Sequence, residues 1–215
     1  MTKTAKNYDD GVAESAAHFI ACARRLIGRL DRSVGGEAAA RLALQPIDPR
    51  SAQPVEPRRL PACRYLPELT GELMAHDAAL AAALAGLEDD LCWRQNANYS
   101  DEAMGQPGYM ERYAHAEIVG PNGVFAGDDF LLGLMILGPG ILYPDHFHPA
   151  PELYVMLAGD SAWSRDGGAF APKRPGEGVW HPPGVVHATR TGASPLLTLY
   201  VWTKDVAEPA RLVAR

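Results

Sequence analysis

Four residues of metal-binding type stand in two short segments of this chain. In GILYPDHFHPAPELYVMLAG, residues 140–159, His146 and His148 are one residue apart, and Glu152 follows four residues on, ahead of a glycine. In GEGVWHPPGVVH, residues 176–187, His187 follows a Pro-Pro-Gly turn. Alternate residues of an extended strand share a face, so His146 and His148 point the same way, and Glu152 can reach the same point across a turn. Two strands that deliver imidazole and carboxylate to one point make a mixed N/O site for a first-row divalent ion. One such ion is the expected cofactor. Zn, Fe(II), Mn(II) and Ni(II) all accept these ligands, so its identity stays open. Three ligands leave a catalytic metal open, and a fourth still leaves room if the coordination expands.

Aromatic residues surround these positions. Tyr154 shares a strand face with Glu152, Met156 follows on that face, and Tyr143 is expected in a loop at the mouth. Tyr200 and Trp202 share one face of the last strand. If that face is inward, the pocket combines a cation, phenols and an indole. It then suits a small zwitterion with a carboxylate at the metal and a cationic group against aromatic faces, each worth ~0.5–2 kcal/mol. Coordination of the carboxylate makes the adjacent C–H more acidic, and a phenol lowered by the metal's field could act as base. The plain alternative is that Tyr154 only fills the core, its hydroxyl bonded to a neighbour. His115 and Glu117 alternate on one strand and read as a structural pair, with entry into the pocket as the alternative. His181 is read as outward and unassigned, His18 and His76 as surface residues, and Trp163 as a strand-end anchor.

The elements that must position these residues lie after about residue 110, where short apolar runs alternate with Gly and Pro turns. Strands are predicted at Tyr113–Val119, Phe130–Leu137, Glu152–Ala158, Gly178–Trp180, Val185–Thr191 and Leu196–Thr203. Such spacing points to a sandwich or closed barrel. Before residue 110 the chain is rich in Ala, Leu, Glu and Arg. Apolar positions recur at helical spacing from Val12 to Leu30 and from Leu73 to Leu91. A proline-rich connector, residues 45–61, separates them and excludes a long helix or central strand. The expected organisation is a helical N-terminal extension over 1–110 and a β-barrel over 111–215. The extension either caps the barrel or supplies a homodimer surface.

Bulk properties exclude several classes. A net charge of −6 provides no field for nucleic acid, and the basic cluster Arg24, Arg25, Arg29 and Arg32 is flanked by acids. No run approaches the ~20 apolar residues a membrane span needs. Asp9, Asp10 and Glu14 precede only a brief apolar run, Phe19 to Ala23, unlike a secretory leader. Cys22, Cys63 and Cys92 form no disulfide or metal framework and read as small core residues. A cytoplasmic protein is therefore expected, with a small molecule as partner and neither nucleic acid nor membrane.

The two ligand segments resemble the paired motifs of the cupins. Residues 140–159 match G-x5-H-x-H-x3-E-x6-G at every fixed position. Residues 176–191 match G-x5-P-x-G-x2-H-x3-N, except that Thr191 replaces an asparagine that is not a ligand. The resemblance implies a mainly β fold, a cupin barrel (double-stranded β-helix or jelly roll) behind an α-helical extension. Within the cupins, YPDHFHPAPELYVML (143–157), VWHPPGVVHATRT (179–191) and LTLYVWT (197–203) resemble the dimethylsulfoniopropionate lyases. Weaker similarity extends upstream to RLPACRYLPEL (59–69), AGLEDDLCW (85–93) and AEIVGPNG (116–123). That resemblance implies metal ligands at His146, His148, Glu152 and His187, a catalytic tyrosine at Tyr154, and pocket aromatics at Tyr143 and Trp202. The implied reaction is β-elimination to dimethyl sulfide and acrylate. The ligand set equally permits a cupin dioxygenase, an isomerase or a non-catalytic binder of small acids, since fold alone does not specify substrate.

Overall fold

The computed structural model describes residues 6–214. Helices α1 (Lys6–Ile27), α2 (Arg32–Leu44), α3 (Leu66–His76), α4 (Ala78–Ala85) and α5 (Asp101–Met104) precede all the strands. The strands are β1 (Tyr113–Val119), β2 (Leu131–Leu137), β3 (Leu142–Phe147), β4 (Glu152–Ala158) and β5 (Ser161–Arg165), then β6 (Ala171–Lys173), β7 (Gly178–His181), β8 (His187–Thr191), β9 (Leu196–Trp202) and β10 (Arg211–Leu212). They form two five-stranded antiparallel sheets, β1-β2-β9-β4-β7 and β10-β3-β8-β5-β6. This is the two-sheet jelly roll of a cupin, with a helical layer before it in the chain.

Local chemistry explains where the helices differ from expectation. The single helix predicted over Leu73–Leu91 is two helices, because Asp77 leaves helical geometry (φ −147, ψ 87) and its carboxylate accepts the Leu80 N–H at 3.0 Å. Helix α2, not anticipated, contains Gly35-Gly36, each costing about 1 kcal/mol relative to Ala, which masks its pattern. Asp31 caps it by accepting the Ser33 N–H at 2.8 Å.

Every residue of β2, β4 and β9 is buried. A strand buried on both faces reads as a continuous apolar run rather than an alternation. One face, carrying Leu132, Leu134, Leu153, Val155, Leu199 and Val201, packs in a single cluster with helical residues such as Phe19, Ile20, Leu69 and Leu84. The other face carries Met135, Tyr154, Met156, Tyr200 and Trp202 into the barrel, where they meet Tyr143 and Trp163. Trp163 is thus the third residue of β5 and points inward, not a strand-end anchor. His18 and His76 are exposed on their helices, as expected. Among the described residues no helix is long and apolar enough to cross a membrane.

Candidate metal centre and cavity

Strand pairing assembles the site. The β3–β8 register sets His146 opposite His187, and Glu152 opens β4 at the same end of the barrel. His148 lies one residue beyond β3. All four side chains are at most 3% exposed. His148 Nε2 lies 3.0 Å and His187 Nε2 3.3 Å from Glu152 Oε2. The nearest ligand atoms of His148, Glu152 and His187 all fall within 4.8 Å of one another. His146 stands beside this trio, its ring 4.0 Å from that of His187.

Each histidine is held from behind. Nδ1 of His146, His148 and His187 faces the carbonyls of Pro144 (2.8 Å), Ala150 (2.9 Å) and Val185 (3.0 Å). A carbonyl can only accept, so Nδ1 carries the proton, and Nε2 is turned to the centre as a potential ligand. Nε2 of His146 and of His187 is buried without a hydrogen-bond partner, a loss of roughly 1–3 kcal/mol each if nothing binds there. Burial alone would raise the Glu152 carboxyl, but His148 and His187 beside it hold it well below the usual range. Two orphaned imidazole nitrogens beside an ionised carboxylate fit a divalent cation.

The aromatics brace these candidate ligands as well as line the space around them. The Trp202 indole donates Nε1–H to Glu152 Oε1 at 2.7 Å, and its ring stacks on His148 at 4.4 Å. Tyr143 lies within β3 rather than in a mouth loop. Its ring stacks on His146 at 3.9 Å, and its hydroxyl meets that of Tyr99 at 2.8 Å. Tyr154 is 4% exposed, with its ring 4.6 Å from Trp163 and 6.5 Å from His187. Burial, then the charge of Glu152, pushes its phenol well above the usual range. The Tyr200 hydroxyl contacts His115 Nδ1 at 3.2 Å. Gly133 gives the Tyr200 ring its room, since a Cβ there would stand 2.6 Å from the ring.

His146, His148, Glu152, Tyr143, Tyr154, Tyr200 and Trp202 line one cavity of about 560 Å³, with Tyr113, His115 and Glu117 also on its wall, together with Arg94–Asn98 and Val206, Ala207, Pro209 and Ala210. His115 and Glu117 are not a pair. His115 bonds Tyr200, while Glu117 accepts two hydrogen bonds from Asn122. His181 does not point outward. It is fully buried, opposite Glu152 in the β4–β7 register, and stacks on His187 at 4.1 Å. Its parity with Val179 on β7 was the one available signal. Thr191, at the asparagine position, donates to the Gly138 carbonyl at 2.7 Å and accepts the Ile141 N–H at 3.0 Å. It thereby pins the turn before β3. Tyr99 and Asn122 carried no sequence signal for their roles.

Comparison with known proteins bears on this arrangement. Residues 36–198 match the family described as dimethylsulfoniopropionate (DMSP) lyase. The chain is 34% identical over 166 residues to dimethylsulfoniopropionate lyase DddQ of Ruegeria pomeroyi, covering 74% of this chain and 78% of that protein. The crystal structure of DMSP lyase DddQ from Ruegeria pomeroyi DSS-3 matches with a TM-score of 0.70 at 26% identity, over 93% of this chain and 96% of the other. A chain from the crystal structures of the DMSP lyases RdDddP and RnDddQII matches with a TM-score of 0.74 at 22% identity, over 94% and 100%, and shares the fold. The match over residues 36–198 and the 34% identity across most of both chains establish that this chain belongs to the dimethylsulfoniopropionate lyase family.

Proposed function

We propose that this chain is a metal-dependent carbon–sulfur lyase that cleaves dimethylsulfoniopropionate to dimethyl sulfide and acrylate, with Tyr154 as the base. The observation that carries the reading is the placement of Tyr154 two residues from Glu152, on the inward face of β4, in the cavity that holds the histidines. Family membership and the DddQ relative support the substrate class.

His146, His148, Glu152 and His187 would hold the ion. Bound there, a divalent cation supplies the charge that takes the substrate carboxylate, acidifies the neighbouring C–H and lowers the Tyr154 phenol. Zn, Fe(II), Mn(II) and Ni(II) remain the candidates. Tyr154, as phenolate, removes a proton from the carbon next to the carboxylate. The C–H electron pair forms the new double bond, the C–S bond breaks, and sulfur leaves with its electrons as neutral dimethyl sulfide. Because the leaving group is neutral, one base suffices and no general acid is required. Tyr143, Tyr200 and Trp202 wall the cavity, exclude water, and offer ring faces to the sulfonium. In this reading residues 1–110 form the brace and residues 111–215 the catalytic barrel.

The test is headspace gas chromatography after mixing metal-loaded protein with the sulfonium acid. Release of dimethyl sulfide with equimolar acrylate, well above base-catalysed background, is expected. No release with Zn, Mn, Fe or Ni would direct the search to another small carboxylate.

A further inference from the structure

The cavity has two ends of different chemistry. His146, His148 and Glu152 occupy one end, and Glu117 of β1 lies on the wall away from them. In the sheet register Glu117 faces Gly133, Gly133 faces Tyr200, and Tyr200 faces Tyr154. One row therefore runs from this carboxylate to the proposed base. Backbones three strand spacings apart in such a row are separated by about 14 Å, and side chains reaching inward from both ends shorten that to the scale of a small molecule. Between them the Tyr200 ring lies across Gly133, and its hydroxyl is held by His115.

Glu117 is built into place. It is 7% exposed, its Oε2 accepts the Asn122 N–H at 2.7 Å, and its Oε1 accepts the Asn122 side-chain amide at 3.0 Å. Gly120 (φ +148) lies so close that a Cβ would stand 2.7 Å from Oε2. Both donors are neutral, and among the described residues no cationic side chain lies within ion-pair distance of this carboxylate. A buried charge without a counter-charge is costly. The cavity that Glu117 lines is the route by which a soluble cation can reach it. Arg94, also on the lining, is exposed and makes no ion pair with Glu117.

We propose that Glu117 is a specificity-determining residue that recognises the cationic end of the substrate, with the Tyr200 ring beside it completing an onium subsite. The inference rests on the lyase reading, because it needs the substrate carboxylate at the His/Glu end. The sulfonium charge that Glu117 would face disappears as the C–S bond breaks, so the contact favours bound substrate over the transition state: its loss acts on KM and does not lower kcat.

Two carboxylates of the same shape isolate the effect: 3-(trimethylammonio)propanoate, which is cationic at the far end, and 4,4-dimethylpentanoate, its neutral carbon counterpart. Binding of each to the metal-loaded full chain is measured by calorimetry. Wild-type protein is expected to favour the cationic compound by about tenfold or more. Glu117→Gln should cut that ratio about tenfold by weakening the cationic compound alone, and should raise KM for the sulfonium acid without lowering kcat. Glu117→Asp, which keeps the charge, should retain part of the preference. Equal wild-type affinity for the two compounds would overturn the onium subsite even if neither variant folds. Equal weakening of both by Glu117→Gln would reduce Glu117 to a structural role. If neither compound binds the wild type, the carboxylate-at-the-cluster reading itself fails, and this inference with it.

Discussion

The two sheets have five strands each but are covered differently. β2, β4 and β9 of the first are buried at every position, between the helical layer on one side and the barrel interior on the other. In the second sheet Asp145 and Arg190 are exposed on β3 and β8, and β6 has no buried residue. The first sheet is therefore a slab with two apolar contacts, and the second has one. The site draws on both, with Glu152 from the first sheet and His146 and His187 from the second. A cation shared among them would tie the thinly covered sheet to the braced one.

The largest effect should come where the sheets meet. Tyr154→Phe is expected to lose about 10²–10⁴-fold in turnover, the range for a general base, with metal content by elemental analysis unchanged. Near-normal turnover in this variant would remove Tyr154 from the mechanism. The asymmetry between the sheets predicts that Leu199→Ala, at the helix-facing side of β9, costs about 2–5 kcal/mol in urea unfolding. Arg190→Ala, on the open side of β8, should stay within about 0.5 kcal/mol. Similar losses at both positions would contradict the contrast.

Cross-bracing by the ion predicts a smaller but specific effect. Metal at about a hundredfold above its dissociation constant should raise wild-type stability by ~2.7 kcal/mol. His148→Ala or His187→Ala should abolish both the gain and the bound metal. A variant that keeps its metal would show that the other residues suffice. Trp202→Phe removes the 2.7 Å hydrogen bond to Glu152 across β9 and β4, and a bond to a charged group is worth about 1.5–3 kcal/mol. Unaltered stability and metal affinity in that variant would make the indole merely a cavity wall.

Acid should act through the first sheet as well. Burial, then Arg94, pushes the His115 imidazole down to about 4, against roughly 6.5 in an unfolded chain. The unfolded state thus takes up the proton first as pH falls. The stability tied to neutral His115 is full above about pH 6.5, is lost progressively down to about pH 4, and falls no further below that. His115→Gln should flatten the unfolding profile by up to about 3 kcal/mol across this window. An unchanged slope would show that His115 is neutral in both states or charged in both.

Much of the barrel was legible because its signals are local. β1 and β4 fall where alternation and turn residues place them, and the others begin or end within a few residues. β3, β5, β6 and β10 lie among turns or are very short, and offer little apolar pattern of their own. The helical half was less legible, since two glycines obscured α2 and one aspartate cap divided a run that looked continuous. In the site, the types and spacing of His146, His148, Glu152 and His187 were visible because ligands must be close in a strand or across a turn. The environments of Tyr143, His181, His115 and Glu117 were not.

The sequence by itself determined the candidate donor set, the turn positions, and the parity that groups Glu152 with Tyr154 and Tyr200 with Trp202. All of these are properties of neighbours along one strand. Only the tertiary structure decided which face of runs such as LLGLMIL is the cavity wall, because a doubly buried strand has no polar side to mark. It also decided that Trp202 serves Glu152, fifty positions away, and that Glu117 turns to Asn122 rather than His115. Those partners are chosen by the register between strands and by the turn that follows, and neither is encoded in any single segment.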